Sequence, residues 1–169
     1  MGRENTHSSD PSPEGHRYLG VDYGERRVGV ALSDPTGTIA QPLTTLQRRR
    51  GKRPPLAALE RMAHEHDVVG IVWGLPLELD GTASEWTREV QEVGEQLGSR
   101  LDLPVYFLDE RMTSVQAERA VRTSGLRRSR REDKSRVDRS AAALILQTWL
   151  DRRRGGTSTG THQTDEPRP

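Results

Sequence analysis

The chain contains no cysteine, which excludes disulfide staples and thiolate chemistry and accords with a reducing cytoplasm. Long apolar runs are missing too. Nothing approaches the ~18 consecutive apolar residues a membrane span needs, and Met1–His16 has no signal-peptide core. A soluble, cytoplasmic protein that does not meet a membrane is the expectation. Aromatic residues are scarce, with three Trp, three Tyr and one Phe, so contact with a nucleic acid should run mostly through backbone phosphates. His64 and His66 stand two apart and do not share a helix face, which argues against a metal-binding pair. No internal repeat is visible.

What is present is charge, unevenly placed. The formal net charge is +1, yet Arg119–Arg136 holds seven Arg and one Lys against Glu132 and Asp133. Arg48–Arg53 adds four Arg and one Lys with no acid. Such clusters suit phosphate backbones, and they equally suit a solvated face in an Arg-rich chain. Composition leaves the two readings level. Residues 1–16 and 154–169 are rich in Ser, Thr, Pro, Gly and charge and read as disordered tails. One domain from Arg17 to Arg153 is expected between them.

Hydrophobic patterning divides that core into elements. Tyr18–Gly24, Val28–Asp34 and Ile39–Leu46 are apolar runs separated by Gly24-Glu25-Arg26 and by Asp34-Pro35-Thr36-Gly37, which predicts an antiparallel meander. Pro55 suits a first helical turn, followed by Leu56, Leu59 and Met62 at helical spacing. Val68–Leu75 reads as a buried strand running into a loop. Thr82–Leu101 is the clearest helix, with Trp86, Val90, Val93, Leu97 and Leu101 on one face. Pro104–Leu108 is a second buried strand. Thr113-Ser114-Val115-Gln116 resembles a capping box opening a helix to about Ser124. Leu126–Lys134 reads as a charged loop, and Ser135 begins a last helix to roughly Asp151, striped by Val137, Ala141, Leu144 and Thr148. The order β-β-β-α-β-α-β-α-α implies an α/β fold. Its mixed five-stranded sheet, an antiparallel meander and then parallel strands, carries helices on both faces. That is the strand order of the ribonuclease H-like fold.

Asp22 interrupts a strand that should be buried, and an acid there is costly without a partner. Glu110 ends the last strand, and Asp138 lies near the start of the last helix. Hard oxygen ligands of this kind suit magnesium or manganese. Two such ions serve phosphodiester hydrolysis by activating water and steadying the leaving oxygen. Each acid also has a structural reading. Asp22 could cap a turn, Glu110 could face a helix dipole, and Ser135-x-x-Asp138 has capping-box spacing. Arg111, beside Glu110, could hold a scissile phosphate or orient that carboxylate. Arg127, Arg128, Arg130 and Arg131 fall between the helix after Glu110 and the helix bearing Asp138. That position favours nucleic-acid contact for the basic run.

Four segments resemble the YqgF family, also called RuvX, known as Holliday junction resolvases or pre-16S rRNA nucleases. They are Leu19-Gly-Val-Asp22-Tyr-Gly24 with Arg27-Val-Gly29-Val-Ala31-Leu-Ser-Asp34, and Gly74-Leu-Pro-Leu-Glu-Leu-Asp80-Gly81. Then come Leu108-Asp-Glu110-Arg111-Met-Thr113 and Lys134-Ser-Arg-Val-Asp138-Arg-Ser-Ala-Ala. The resemblance spans about Arg17 to Leu150. It implies a ribonuclease H-like fold whose catalytic and metal-binding acids fall on Asp22, Glu110 and Asp138, with Mg2+ or Mn2+ as cofactor. Glu25 stands where many relatives carry Thr, and it reads as a solvated turn residue. Trp73 reads as a packing residue and Asp80-Gly81 as a turn.

The function this implies is a divalent-metal nuclease acting on structured RNA, in 5′-end processing of pre-16S rRNA. In it Asp22 bridges two ions, Glu110 and Asp138 each complete one coordination sphere, and hydrolysis leaves a 5′-phosphate and a 3′-hydroxyl. The alternative with the same site is a resolvase of four-way DNA junctions, which needs a homodimer rather than a monomer. A non-catalytic nucleic-acid-binding module is a further rival. A two-lobed ATP-binding fold is disfavoured by the chain length and by Glu25 where a phosphate would sit.

Overall fold

The computed structural model of the chain describes residues 16–48, 53–113 and 131–156, with residues 131–140 and 156 described by backbone alone. Its elements are β1 (Arg17–Tyr23), β2 (Arg27–Ser33), β3 (Ala40–Gln47), α1 (Leu56–Glu65), β4 (Val68–Leu75), α2 (Glu85–Leu101), β5 (Val105–Asp109) and α3 (Arg131–Gly156). The five strands form one sheet in the order β3-β2-β1-β4-β5. β1–β2 and β2–β3 pair antiparallel, β1–β4 and β4–β5 parallel. The expected meander followed by parallel strands is what forms, in ribonuclease H-like order.

Alternation along β1 builds two cores, because successive side chains of a strand point to opposite faces. Leu19, Val21 and Tyr23 join Val28, Val30, Ile71 and Trp73 under α1 and α2, which contribute Leu56, Leu59, Val90, Val93 and Leu97. Tyr18 joins Ala31, Val72 and Leu108 under α3, which contributes Ala141, Ala142, Ile145, Leu146 and Leu150. The expected stripe of α2 is realised, with Val90, Val93 and Leu97 buried and Trp86 and Leu101 at its margins. Ser84 caps that helix by accepting from the Thr87 N–H at 3.1 Å, while Thr87 Oγ1 accepts from the Ser84 N–H at 3.1 Å.

The last helix departs from the sequence reading in two ways. It starts at Arg131, inside the expected charged loop, and runs to Gly156. Its buried stripe is also rotated: Leu144 and Thr148 are half-buried, while Ala142, Ile145 and Leu146 are fully covered. Consecutive apolar residues from Ala141 to Leu146 leave the helix face ambiguous, and the sheet decides it. A Cβ at Gly20 would come 2.7 Å from Leu146 Cβ and 3.0 Å from the Ala142 carbonyl oxygen. Glycine there lets that face of α3 settle directly on β1. Thr148 satisfies its hydroxyl within the helix by donating to the Leu144 carbonyl at 2.8 Å.

β5 corrects a second expectation. It is an edge strand rather than a buried one, and Tyr106 on it is exposed. Among the described residues no helix is long and apolar enough to cross a membrane.

Candidate active site

Asp22 lies one residue from the end of β1, opposite Gly29 on β2. Two positions after Gly20, it belongs to the face that α3 covers, and it is only 4% exposed. The β1–β4 pairing ends at Val21 with Trp73, so Gly74 is the β4 residue next in line beside Asp22. Asp22 therefore sits between glycines on both neighbouring strands.

Glu110 arrives from the other side of β4. It follows β5 directly and opens a short 3-10 turn, Glu110–Met112. Thr113 closes that turn, its N–H and hydroxyl donating to the Glu110 carbonyl at 3.1 and 2.7 Å. The Glu110 side chain folds back over the sheet and is 2% exposed. A Cβ at Gly74 would stand 2.8 Å from Glu110 Oε1 and 2.7 Å from Ile145 Cδ1. Gly74, the β4 residue in line beside Asp22, thus opens the space that the Glu110 carboxylate occupies beneath α3.

Asp138 lies on α3, one helical turn before Ala142; its side chain falls outside the described residues. Among the described residues, no three His, Cys, Asp or Glu side chains gather in a metal-holding group. Arg127, Arg128 and Arg130 lie outside the described residues, as does the helix expected from Thr113 to Ser124. Arg131 is the first residue of α3, described by backbone alone. Glu25 is exposed in the β1–β2 turn. Trp73 is fully buried, stacked on Tyr23 at 5.6 Å on the face away from Asp22.

Arg111 is held by neighbours on its own segment and on the loop after β4. Its guanidinium grips Asp109, with Nε 3.0 Å from both carboxylate oxygens and Nη2 2.6 Å from Oδ2. Nη1 donates to the Leu79 carbonyl at 3.2 Å. Arg111 therefore ties the end of β5 to the loop after β4. The guanidinium beside Asp109 holds that carboxyl below the usual range, and the pairing raises Arg111 in turn. Asp109-x-Arg111 is a local clip, acid and base two apart around Glu110.

Arg48, read as the first residue of a basic loop, is a buried part of the fold. Its side chain is 7% exposed, and its guanidinium lies 4.6 Å from the Tyr23 ring centre and 5.5 Å from that of Trp86. It donates to Glu89 at 2.6 Å and to the Gly24 carbonyl at 3.3 Å. Burial raises the Tyr23 phenol, and the Arg48 charge partly opposes that rise.

A mixed sheet in this order, flanked by helices on both faces, places the protein in the ribonuclease H-like class. Comparison with known structures agrees. RuvC from T. thermophilus, solved in complex with a Holliday junction substrate, superposes with a TM-score of 0.53 at 14% identity, covering 83% of this chain and 96% of that one. A second structure of Thermus thermophilus RuvC gives 0.50 at 11% identity. A sequence model of the RuvX family, described as Holliday junction resolvase, matches residues 16–152. Proteins named "Putative pre-16S rRNA nuclease" are close in sequence. That of Thermosynechococcus vestitus is 45% identical over 135 residues, 80% of this chain and 87% of the relative. That of Koribacter versatilis is 44% identical over 144 residues, 85% and 92% of the two chains. The chain belongs to the RuvX family and is a nuclease.

Proposed function

We propose that this nuclease hydrolyses phosphodiester bonds in structured RNA, trimming the 5′ end of pre-16S rRNA in the cytoplasm, at a site formed by Asp22, Glu110 and Asp138. What supports the reading is that Asp22 and Glu110 are both buried, and that Gly74, the β4 residue in line beside Asp22, opens the space for the Glu110 carboxylate. The choice of RNA rests on the names of the relatives.

The course of α3 supports including Asp138. Trp149 packs on Tyr18 with ring centres 4.9 Å apart, and Ala142 and Leu146 cover Gly20. The helix therefore runs antiparallel to β1. Stepping from Ala142 back to Asp138 advances about 6 Å, and stepping from Gly20 on to Asp22 advances about 6.6 Å. The Asp138 turn comes level with Asp22.

The donor set fits a hard divalent cation. Asp22 and Glu110 offer carboxylate oxygens, which suit Mg2+ or Mn2+, and Asp138 would complete the set. Such an ion supplies activation of water and stabilisation of the charge that develops on the phosphate. The protein's own part is to hold Asp22 and Glu110 rigid. The β1–β2 hairpin fixes the first, and the Thr113-closed turn fixes the second. The Asp109–Arg111 clip anchors the same segment to the neighbouring loop.

The family description favours a second substrate, the four-way DNA junction, cut by the same residues in a homodimer. Purified protein offered a pre-16S 5′ leader RNA and a four-way DNA junction side by side, with Mg2+ or Mn2+, separates the two. Cleavage of the RNA with the junction left intact is the expected result. Symmetric nicking of the junction with the RNA left intact replaces the proposal by a resolvase.

A further inference from the structure

Leu79 is 90% exposed, the most exposed large apolar side chain among the described residues. Single exposed leucines are ordinary on protein surfaces, and two further observations set this one apart. First, the loop that carries it is braced by several internal hydrogen bonds. The Glu78 N–H donates to the Thr82 carbonyl at 3.0 Å and the Gly81 N–H to the Glu78 carbonyl at 2.8 Å. Asp80 accepts from the Thr82 N–H and hydroxyl at 2.9 and 2.7 Å. Thr87 donates its hydroxyl to the Pro76 carbonyl. Second, the Leu79 carbonyl itself receives Arg111 Nη1 at 3.2 Å, and Arg111 adjoins Glu110 in the chain. One side chain therefore fixes the Leu79 backbone to the residue next to a proposed catalytic carboxylate.

An apolar tip held this firmly loses little conformational freedom when it meets a partner. The flanking residues indicate which part of a nucleic acid that partner is. Glu78 and Asp80 are both exposed acids, and hydrogen bonds from Thr82 hold the Asp80 carboxyl below its usual range, so it stays ionised. Two fixed negative charges repel phosphate. What they leave for Leu79 is the apolar face of a base turned away from the backbone, and single-stranded loops and ends of RNA present such bases.

Resting on the nuclease reading above, we propose that Leu79 is a specificity contact, packing on the face of an unstacked base of the bound substrate that is turned away from its phosphates. It selects cleavage positions that carry an unpaired nucleotide. Arg111 acts here as a positioning residue that holds the loop at the correct height above the site.

The test uses the full-length protein and a hairpin RNA carrying 2-aminopurine at successive loop positions, with Leu79→Ser, the conservative Leu79→Met, and Leu79→Asp. Leu79 is exposed, so these variants should fold as the wild type does, and matched melting temperatures verify it. For Leu79→Ser we expect KM to rise about tenfold with kcat little changed. The wild-type fluorescence change at one loop position should disappear with it, Leu79→Met should restore both, and Leu79→Asp should exceed Leu79→Ser. Identical KM, cleavage positions and fluorescence in wild type and Leu79→Ser overturn the proposal. A change in sedimentation without a change in fluorescence also overturns it, marking Leu79 as a self-association contact. If the wild type binds the hairpin without cutting it, the nuclease reading fails while the fluorescence comparison still decides the role of Leu79. If it neither binds nor cuts, both fall.

Discussion

The Glu110 carboxylate fills the space that a side chain on Gly74 would take: a Cβ there would lie 2.8 Å from Glu110 Oε1. The site therefore depends on an absent side chain as much as on the acids present. Gly74→Ala should displace Glu110 and Ile145 together. We expect a loss of about 1–3 kcal/mol in stability from overpacking. Cleavage should fall by about 100-fold or more because the carboxylate is misplaced. Urea unfolding and single-turnover cleavage measure the two effects separately. Unchanged cleavage would remove Glu110 from the site.

Arg48 tests whether a basic residue serves the fold or the substrate. Over the Tyr23 and Trp86 rings, and bonded to Glu89 and Gly24, it should stabilise the protein. Arg48→Ala should cost about 2–3 kcal/mol and raise the Tyr23 phenol further, since the opposing charge is gone. The salt dependence of RNA binding should not change once folding is verified. A reduced salt slope would return Arg48 to the nucleic-acid interface.

Acid stability should report the Asp109–Arg111 pair. The folded-state pKa of Asp109 is lowered, first by its hydrogen bonds from the Arg111 side chain. Its stabilisation is therefore present above the unfolded pKa of about 4 and is lost as pH falls through the lower folded value. Arg111→Gln should flatten the stability curve between about pH 5 and pH 2. Asp34 is lowered in the same direction by the Ile39, Thr36 and Thr38 donors, and it remains in both proteins. The difference between the two urea-unfolding curves isolates the pair. Parallel curves would mean that the clip does not form.

The basic run is tested by reversing Arg127, Arg128, Arg130 and Arg131 to Glu. Binding to RNA should weaken strongly at low salt and its salt dependence should flatten, because fewer counterions are released. Manganese affinity and melting temperature should stay close to those of the wild type. Fluorescence anisotropy across a salt series measures this, and unchanged binding would leave the run as solvated surface.

Much of this arrangement was legible in the sequence because it rests on local signals. Gly- and Pro-marked turns delimit β1, β2 and β3, and the spacing from Trp86 to Leu101 marks α2. Asp22 stood out because a carboxylate within an apolar strand has few explanations. What stayed hidden depends on neighbours far along the chain. The buried face of α3 is chosen by Gly20 and Gly74, more than sixty residues earlier in each case. β5 reads as a buried strand by composition, and its place at the sheet edge comes from topology alone. Arg48 reads as one basic residue in a run because no local pattern announces the aromatic pair it lies over. The Asp109–Arg111 pair is local, two residues apart, but its tie to the Leu79 carbonyl spans 32 residues and carries no local signal.

The central claim is that Asp22 and Glu110 form one metal-dependent hydrolytic site. Single-turnover cleavage of the 5′ leader RNA in manganese, by wild type and by Asp22→Asn, tests it most directly when melting temperatures show both proteins folded. The expected result is metal-dependent cleavage by the wild type, a loss of about 1000-fold or more in Asp22→Asn, and RNA binding retained by both. Cleavage by Asp22→Asn at the wild-type rate would contradict the account and place the chemistry elsewhere in the protein.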